Sequence, residues 1–309
     1  MLIDLLIFII AAFILLKSIN IIIISASNLA KKFNISEFVI GTILIGSATS
    51  FPELFIGITS AIKKIPQLSL GNVIGASLLD LTLVTAVPVI IAKGISSKSK
   101  YIVRDTKYMV ILIFLPLLLL LFNKTISRIE GIILIAAFCL YTNYLLKQKR
   151  SEKTAKRIIS QNTGKNILMF IFGITLLLLS SHFAVKHAEL IALELKIPVT
   201  LIGLILVSFG TTLPELTFGI KAALSKHQGM AIGNLVGSVI FNLLFIVGVT
   251  SIIRPIIPEI EPLILGFLFL IIASLCFYYF IKKEGKITIT DGIILSLVYI
   301  VFLILELTL

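Results

Sequence analysis

The feature that most constrains this chain is a succession of ten apolar runs of roughly 20 residues each. They fall at about 2–30, 36–63, 67–92, 106–123, 126–146, 166–193, 198–225, 229–254, 261–281 and 288–308. As helices, runs of that length match the thickness of bilayer hydrocarbon. Hydrocarbon offers no water to the backbone, so each N–H and C=O must be satisfied within the fold, which leaves helices or closed barrels. Barrel strands alternate polar and apolar residues, and these runs do not. Composition agrees: 14% of residues are charged and the mean hydropathy is +1.14, whereas soluble domains are about a quarter charged. The expected class is an all-α membrane protein with ten transmembrane helices. Met1 to Leu16 lack a basic leader and a small-residue cleavage site and carry Asp4, so they read as an uncleaved first span.

The net charge of +12 would suit a nucleic-acid partner, but Lys and Arg sit mostly in short loops between spans, where they set topology. The lipid bilayer is the expected partner; nucleic acid is not, and no obligatory protein partner is evident. Cys139 and Cys276 lie alone in apolar runs and read as core residues. The one long polar, basic stretch, 147–165, separates a first repeat, 1–146, from a second, 166–309, with five spans in each.

The two parts are repeats. Shifted by 162 positions, Phe38–Val84 falls on Thr200–Ile246 without a gap, with about one position in three identical. Matched residues include Thr49, Pro52, Glu53, Gly71, Asn72 and Gly75 with Thr211, Pro214, Glu215, Gly233, Asn234 and Gly237. A weaker echo pairs Glu130-Gly131-Ile132-Ile133-Leu134 with Asp291-Gly292-Ile293-Ile294-Leu295. An odd number of spans per repeat inverts the second copy. Apart from Lys17, 19 Lys and Arg residues fall to one side and 7 to the other, which places both termini outside and the 147–165 loop in the cytoplasm. Two inverted five-helix repeats with helices broken at the midplane form a secondary-transporter architecture, with the substrate between the repeats.

Of 15 acidic residues, only Glu53, Asp80 and Glu215 fall near the centre of a span, where an ionised side chain is costly. Glu53 and Asp80 are nearly equidistant from Pro66, and Glu215 and Asn242 from Gln228, so each pair is expected at one depth. Thr49 and Thr211 sit one turn before each Glu, and Ser50 and Thr212 add hydroxyls. Pro52 and Pro214 free the carbonyls of Ala48 and Gly210, and a broken helix would free those of Gly46 and Ser208 as well. This all-oxygen set suits a hard cation such as Ca2+ or Na+. Asn72 and Asn234 are expected to support it by bonding freed backbone, and the flanking glycines to let helices approach. The plainer alternative is a pair of buried acids that hold helices together, with Lys17, His182 or Lys186 as possible counter-charges. Lys17, His182, Lys186 and His187 otherwise read as snorkelling groups or as the lining of an access path.

The octets GSATSFPE and SFGTTLPE, each followed by Gly-Asn-x-x-Gly and then Asp80 or Asn242, resemble the two alpha-repeats of the cation/Ca2+ exchanger superfamily, with the prokaryotic Na+/Ca2+ exchanger branch nearest in layout. The resemblance implies that Glu53 and Glu215 are central Ca2+ ligands shared with Na+, with backbone oxygens from Thr49 and Thr211. It implies hydroxyls of Ser50, Thr212 and Ser238 and carbonyls of Gly46 and Ser208 at flanking Na+ sites, with Asp80 and Asn242 in the middle of the ring. It also implies that spans one and six slide across the rest. Ala76 stands where the second copy has Ser238, so one flanking site loses an oxygen. The expected activity is antiport that extrudes Ca2+ in exchange for Na+ across the cell membrane, with these ions as cargo, no cofactor and no enzymatic chemistry; the alternative is H+/Ca2+ antiport through the same carboxylates. Neither a phosphate-binding motif of a primary pump nor a hydrolase constellation is present.

Overall fold

The computed structural model describes residues 2–33, 35–96, 99–147, 163–194, 208–258 and 261–308. They are almost entirely helical. Among them eight helices are long and apolar enough to cross a membrane, and the bent pair Glu37–Thr49 and Phe51–Ile62 makes a ninth. The expected span 198–225 is described from Ser208 onward, and residues 148–162 of the polar segment lie outside the described residues. The helix expected at 106–123 starts earlier, at Lys100, because the Ser99 hydroxyl accepts the Tyr101 N–H at 3.3 Å.

The weak echo between the repeats has a physical cause. At the start of Arg128–Lys147, the Ser127 N–H donates to Glu130 Oε2 at 2.6 Å and the Glu130 N–H to Ser127 Oγ at 3.3 Å. At the start of Ile289–Thr308, the Thr288 N–H donates to Asp291 Oδ2 at 2.8 Å and the Asp291 N–H to Thr288 Oγ1 at 3.3 Å. Both are capping boxes. The duplicated carboxylates Glu130 and Asp291 therefore start helices.

Two bodies can be distinguished. Leu2–Phe33 and Thr163–Glu194 pack along each other, with Asp4 Oδ1 3.0 Å from His187 Nδ1 and Asn28 Nδ2 donating to Asn166 Oδ1 at 3.2 Å. The core between them includes Ile19, Ile22 and Leu177 and is completed by Ile40 and Ile45 of the first copy and Phe218 and Met230 of the second. The other helices enclose a larger core running from Phe38 to Tyr299.

Loops of the two copies are joined by short backbone pairings that depart from an all-α expectation. Ile95–Ser96 pairs antiparallel with Lys286–Ile287, and Ile126 and Ile256 exchange N–H···O bonds of 2.8 and 3.0 Å. The expected core role of the cysteines holds least for Cys139, which is exposed; Cys276 is half-buried. An apolar outer face is solvated by lipid, so hydropathy alone does not separate core from rim.

Candidate cation site

Both copies of the motif break their helix at the same position. Ser50 leaves helical geometry at φ −84°, ψ 13°, and Thr212 at φ −90°, ψ 2°. New helices then begin at Phe51 and Leu213, each with its proline in the first turn, where the missing N–H costs nothing. At Ser50 the two helices meet at 45°. Glu53 and Glu215 thus occupy first turns, where unpaired amides and the helix dipole favour an anion.

Downstream the copies differ. The helix carrying Asp80 is interrupted at Thr82 (φ −111°, ψ −94°), whereas Asn242 lies in a π-helical segment, Phe241–Ile246. A second π-helical segment, Gly41–Ile45, precedes Gly46–Thr49. Such segments shift helical register and leave backbone groups imperfectly paired. Around the 37–49 stretch the backbones approach closely: a Cβ built on Gly46 would stand 2.7 Å from the Ser238 nitrogen, and one on Gly41 2.6 Å from the Met230 carbonyl oxygen. The close approach expected of the Gly-Asn-x-x-Gly glycines holds in the second copy, where a Cβ on Gly233 or Gly237 would run into the carbonyl oxygen of Phe38 or Thr42, and fails in the first, where Gly71 and Gly75 have nothing within 4 Å. The repeat partner of Gly41, Gly203, lies outside the described residues.

Polar side chains converge at these breaks. Ser50 Oγ and Ser238 Oγ are 2.7 Å apart, and each hydroxyl lies within reach of Glu215 Oε1, at 3.3 and 3.4 Å. The Thr49 hydroxyl has Ile45 O at 3.1 Å, Gly46 O at 3.4 Å and Asn234 Oδ1 at 3.1 Å for its single proton. Asn234 therefore meets a side chain rather than the freed backbone expected for it. The Nδ2 groups of Asn72 and Asn234 have no hydrogen-bond partner.

Glu53, Asp80, Glu215 and Asn242 are each 1% exposed. Both side-chain oxygens of Glu53 and Asp80, Glu215 Oε2 and both polar atoms of Asn242 lack a hydrogen-bond partner. The three acids are within electrostatic range of one another, with Thr211 beside Glu53 and Ser238 beside Asp80. Thr212 and Pro214 are buried, Thr211, Pro52 and Asn72 half-buried; Ser208 begins the helix Ser208–Thr211, but its side chain lies outside the described residues. Ser77 is a further buried hydroxyl without a partner; its sequence position beside Ala76 was its only signal.

No ion pair among the described residues involves these acids; those present are Arg104–Asp105, His187–Asp4 and His227–Glu37. Lys17, His182 and Lys186 are exposed, and Lys17 lies over the Phe13 ring at 5.3 Å. The reading in which these groups neutralise the buried acids therefore fails. A buried ionised carboxylate without partner or cation costs several kcal/mol, as do unbonded amides to a lesser degree. No three Asp, Glu, His or Cys side chains among the described residues converge enough to hold a metal alone. A cation here would draw on hydroxyl, amide and backbone oxygens as well, in the mixed oxygen shell that a hard cation accepts.

Known proteins match the chain over nearly its whole length. Residues 3–147 and 165–308 match the family described as sodium/calcium exchanger protein. An uncharacterised membrane protein of Methanocaldococcus jannaschii is 30% identical over 286 residues, covering 90% of each chain. The sodium/calcium exchanger MaX1 of Methanosarcina acetivorans is 24% identical over 325 residues, with 91% of each covered. Among solved structures, the sodium-calcium exchanger NCX_Mj, soaked with Na+ and Ca2+, superposes with a TM-score of 0.85 at 26% identity, covering 97% of both chains. The same exchanger soaked with Na+ and Sr2+ gives 0.85 at 27% identity, with 96% of each chain covered. This is a polytopic membrane protein, and it belongs to the sodium/calcium exchanger family.

Proposed function

We propose that the protein is a secondary antiporter that expels Ca2+ in exchange for Na+, with both ions competing for Glu53 and Glu215. The observation that carries this reading is the set of buried acids that have neither a basic partner nor a hydrogen bond at most of their oxygens. Such a set is stable with a cation between its members or with protons on them, so each turnover must exchange one occupant for another. Exclusive use of the same two carboxylates makes the exchange obligatory. Thr49 and Thr211 would contribute backbone oxygens to Ca2+; Ser50, Thr212, Ser238 and the carbonyls of Gly46 and Ser208 would serve Na+, with Pro52, Pro214, Asn72 and Asn234 shaping the breaks. Asp80 carries a proton and donates a hydrogen bond within the ring, opposite neutral Asn242.

The architecture that goes with this function is ten spans in two inverted halves, 1–146 and 166–309, with both termini outside and the 147–165 segment in the cytoplasm. Leu2–Phe33 and Thr163–Glu194 then form the pair that slides to alternate access; in support, they pack mainly on each other. No cofactor or enzymatic step is required.

The test is uptake of 45Ca2+ into proteoliposomes loaded with Na+, K+ or buffered acid. Uptake driven by an outward Na+ gradient and lost in Glu53→Gln is the expected result. Uptake indifferent to Na+ and driven by H+ would replace Na+ with protons on the same two carboxylates.

A further inference from the structure

The helix Arg128–Lys147 lies behind both π-helical segments. Its Phe138 ring meets those of Phe241 and Phe245, with centroids 5.6 and 5.3 Å away. One turn further on, Tyr141 and Thr142 line a cavity of about 10 Å3 together with Thr42 and Ile43 of the segment Gly41–Ile45 and Gly237 of the second copy. A cavity of that size admits a single water. Tyr141 is 8% exposed and its hydroxyl has no hydrogen-bond partner, which is costly for a polar group shut away from solvent. The Thr42 hydroxyl gives its proton to the Phe38 carbonyl at 2.8 Å, so its oxygen can only accept. The described residues of the lining carry hydroxyls and no charge. That suits a neutral water rather than an ion, and an apolar occupant would leave the phenol unpaired.

The segment beside this cavity leads straight into the cation site. The Gly46 N–H reaches back to the Gly41 carbonyl, and Gly46 opens the stretch that breaks at Ser50 and goes on to Glu53. Turns of this kind are rare outside functional sites. If the segment relaxed to an α-helix, all that follows would rotate by about 100°, the angle of one residue. We propose that the cavity holds one buried water bonded to the Tyr141 hydroxyl and the Thr42 oxygen, and that Tyr141 acts through it as a positioning residue for the cation site. The water ties Gly41–Ile45, in its π-helical form, to the helix Arg128–Lys147. It thereby sets the angle at which Gly46–Glu53 presents its oxygens. This rests on the reading of Gly46–Glu53 as part of the cation site.

The first measurement is 45Ca2+ exchange by Tyr141→Phe, which removes one oxygen and keeps the ring. The Ca2+ concentration for half-maximal exchange should rise about three- to tenfold, the scale of one lost hydrogen bond, and the maximal rate per folded protein should stay within about twofold. A role in folding alone would lower the amount of active protein and leave half-saturation unchanged; that result overturns the proposal. Thr42→Val should give the same rise and Thr42→Ser almost none, and these two decide if Tyr141→Phe does not fold. The double variant should be no worse than either single one, because both unseat the same water; additive effects would overturn the proposal. The second measurement, amide hydrogen exchange of residues 41–46 in detergent, needs no transport. These amides should exchange about three- to tenfold faster in Tyr141→Phe, and unchanged protection overturns the proposal. If the wild-type protein moves no Ca2+, the transport reading fails, and hydrogen exchange still decides the role of Tyr141.

Discussion

Glu53 and Glu215 form a natural experiment within one chain. Each follows a Thr-x-x-Pro-Glu motif, each sits in the first turn after a break, and the residues at those breaks differ by only a few degrees in φ and about ten in ψ. Yet Glu215 Oε1 has the Ser50 and Ser238 hydroxyls within reach, whereas Glu53, with Thr211 beside it, has alanine at the position that matches Ser238. Backbone geometry has been kept by the duplication, and side-chain chemistry has not. The lesson is that the motif builds a place for charge, and the following helix decides what shares it. Ser238 and Ala76 are the deciding positions.

The largest effect should come from removing either charge. Glu53→Gln and Glu215→Gln are each expected to lower the 45Ca2+ exchange rate about 100-fold or more, because losing one member of a buried charged set costs about 3–5 kcal/mol. Retained exchange in one but not the other would show that the carboxylates are not shared. Next is packing at the close approach. Gly46→Ala drives a methyl group towards the Ser238 nitrogen and should destabilise the protein by about 1–3 kcal/mol, visible as a lower midpoint in a detergent thermal scan; an unchanged midpoint would mean the 37–49 stretch can move aside.

The hydroxyls test the comparison more finely. Ser238→Ala should raise the Na+ concentration for half-maximal exchange about tenfold, given roughly 1.5 kcal/mol for a hydrogen-bonding group on a charge. Thr212→Val should raise it by a smaller factor, about twofold to threefold, because with alanine at position 76 the Glu53 side has one hydroxyl fewer to begin with; equal effects of the two would erase the inequality of the two sides. The smallest effect is expected of Asp80→Asn, which makes the ring match Asn242. If Asp80 carries a proton, exchange stays within about twofold of wild type, as expected of a swap that changes no net charge, whereas abolished exchange would mean that Asp80 works ionised.

What the sequence made legible follows from what repeats and polarity can encode. The apolar runs gave the helices, the 162-residue repeat paired Glu53 with Glu215, and the prolines marked breaks that fall at Ser50 and Thr212. The π-helical segments Gly41–Ile45 and Phe241–Ile246 were not legible. Apart from Thr42 and Asn242 these stretches are apolar on every face, so a change of register leaves almost no periodic trace to read. The interruption at Thr82 has no glycine or proline to announce it. The contact of Ser50 with Ser238 is a long-range pairing between copies, and a gap-free repeat aligns each residue with its counterpart rather than with its neighbour. For the same reason the sequence points Asn234 at freed backbone, whereas its side-chain oxygen accepts from the Thr49 hydroxyl.

The backbone pairings Ile95–Ser96 with Lys286–Ile287 and Ile126 with Ile256 have a consequence for the chain as a whole. Each uses one strand-like segment from either half, and the cluster around Glu215 likewise takes Ser50 from the first half and Ser238 from the second. The halves are therefore laced together through edges that each leaves unfinished. A gene cut within codons 148–162 should still yield a working protein when both fragments are made in the same cell, because each fragment is the template on which the other closes.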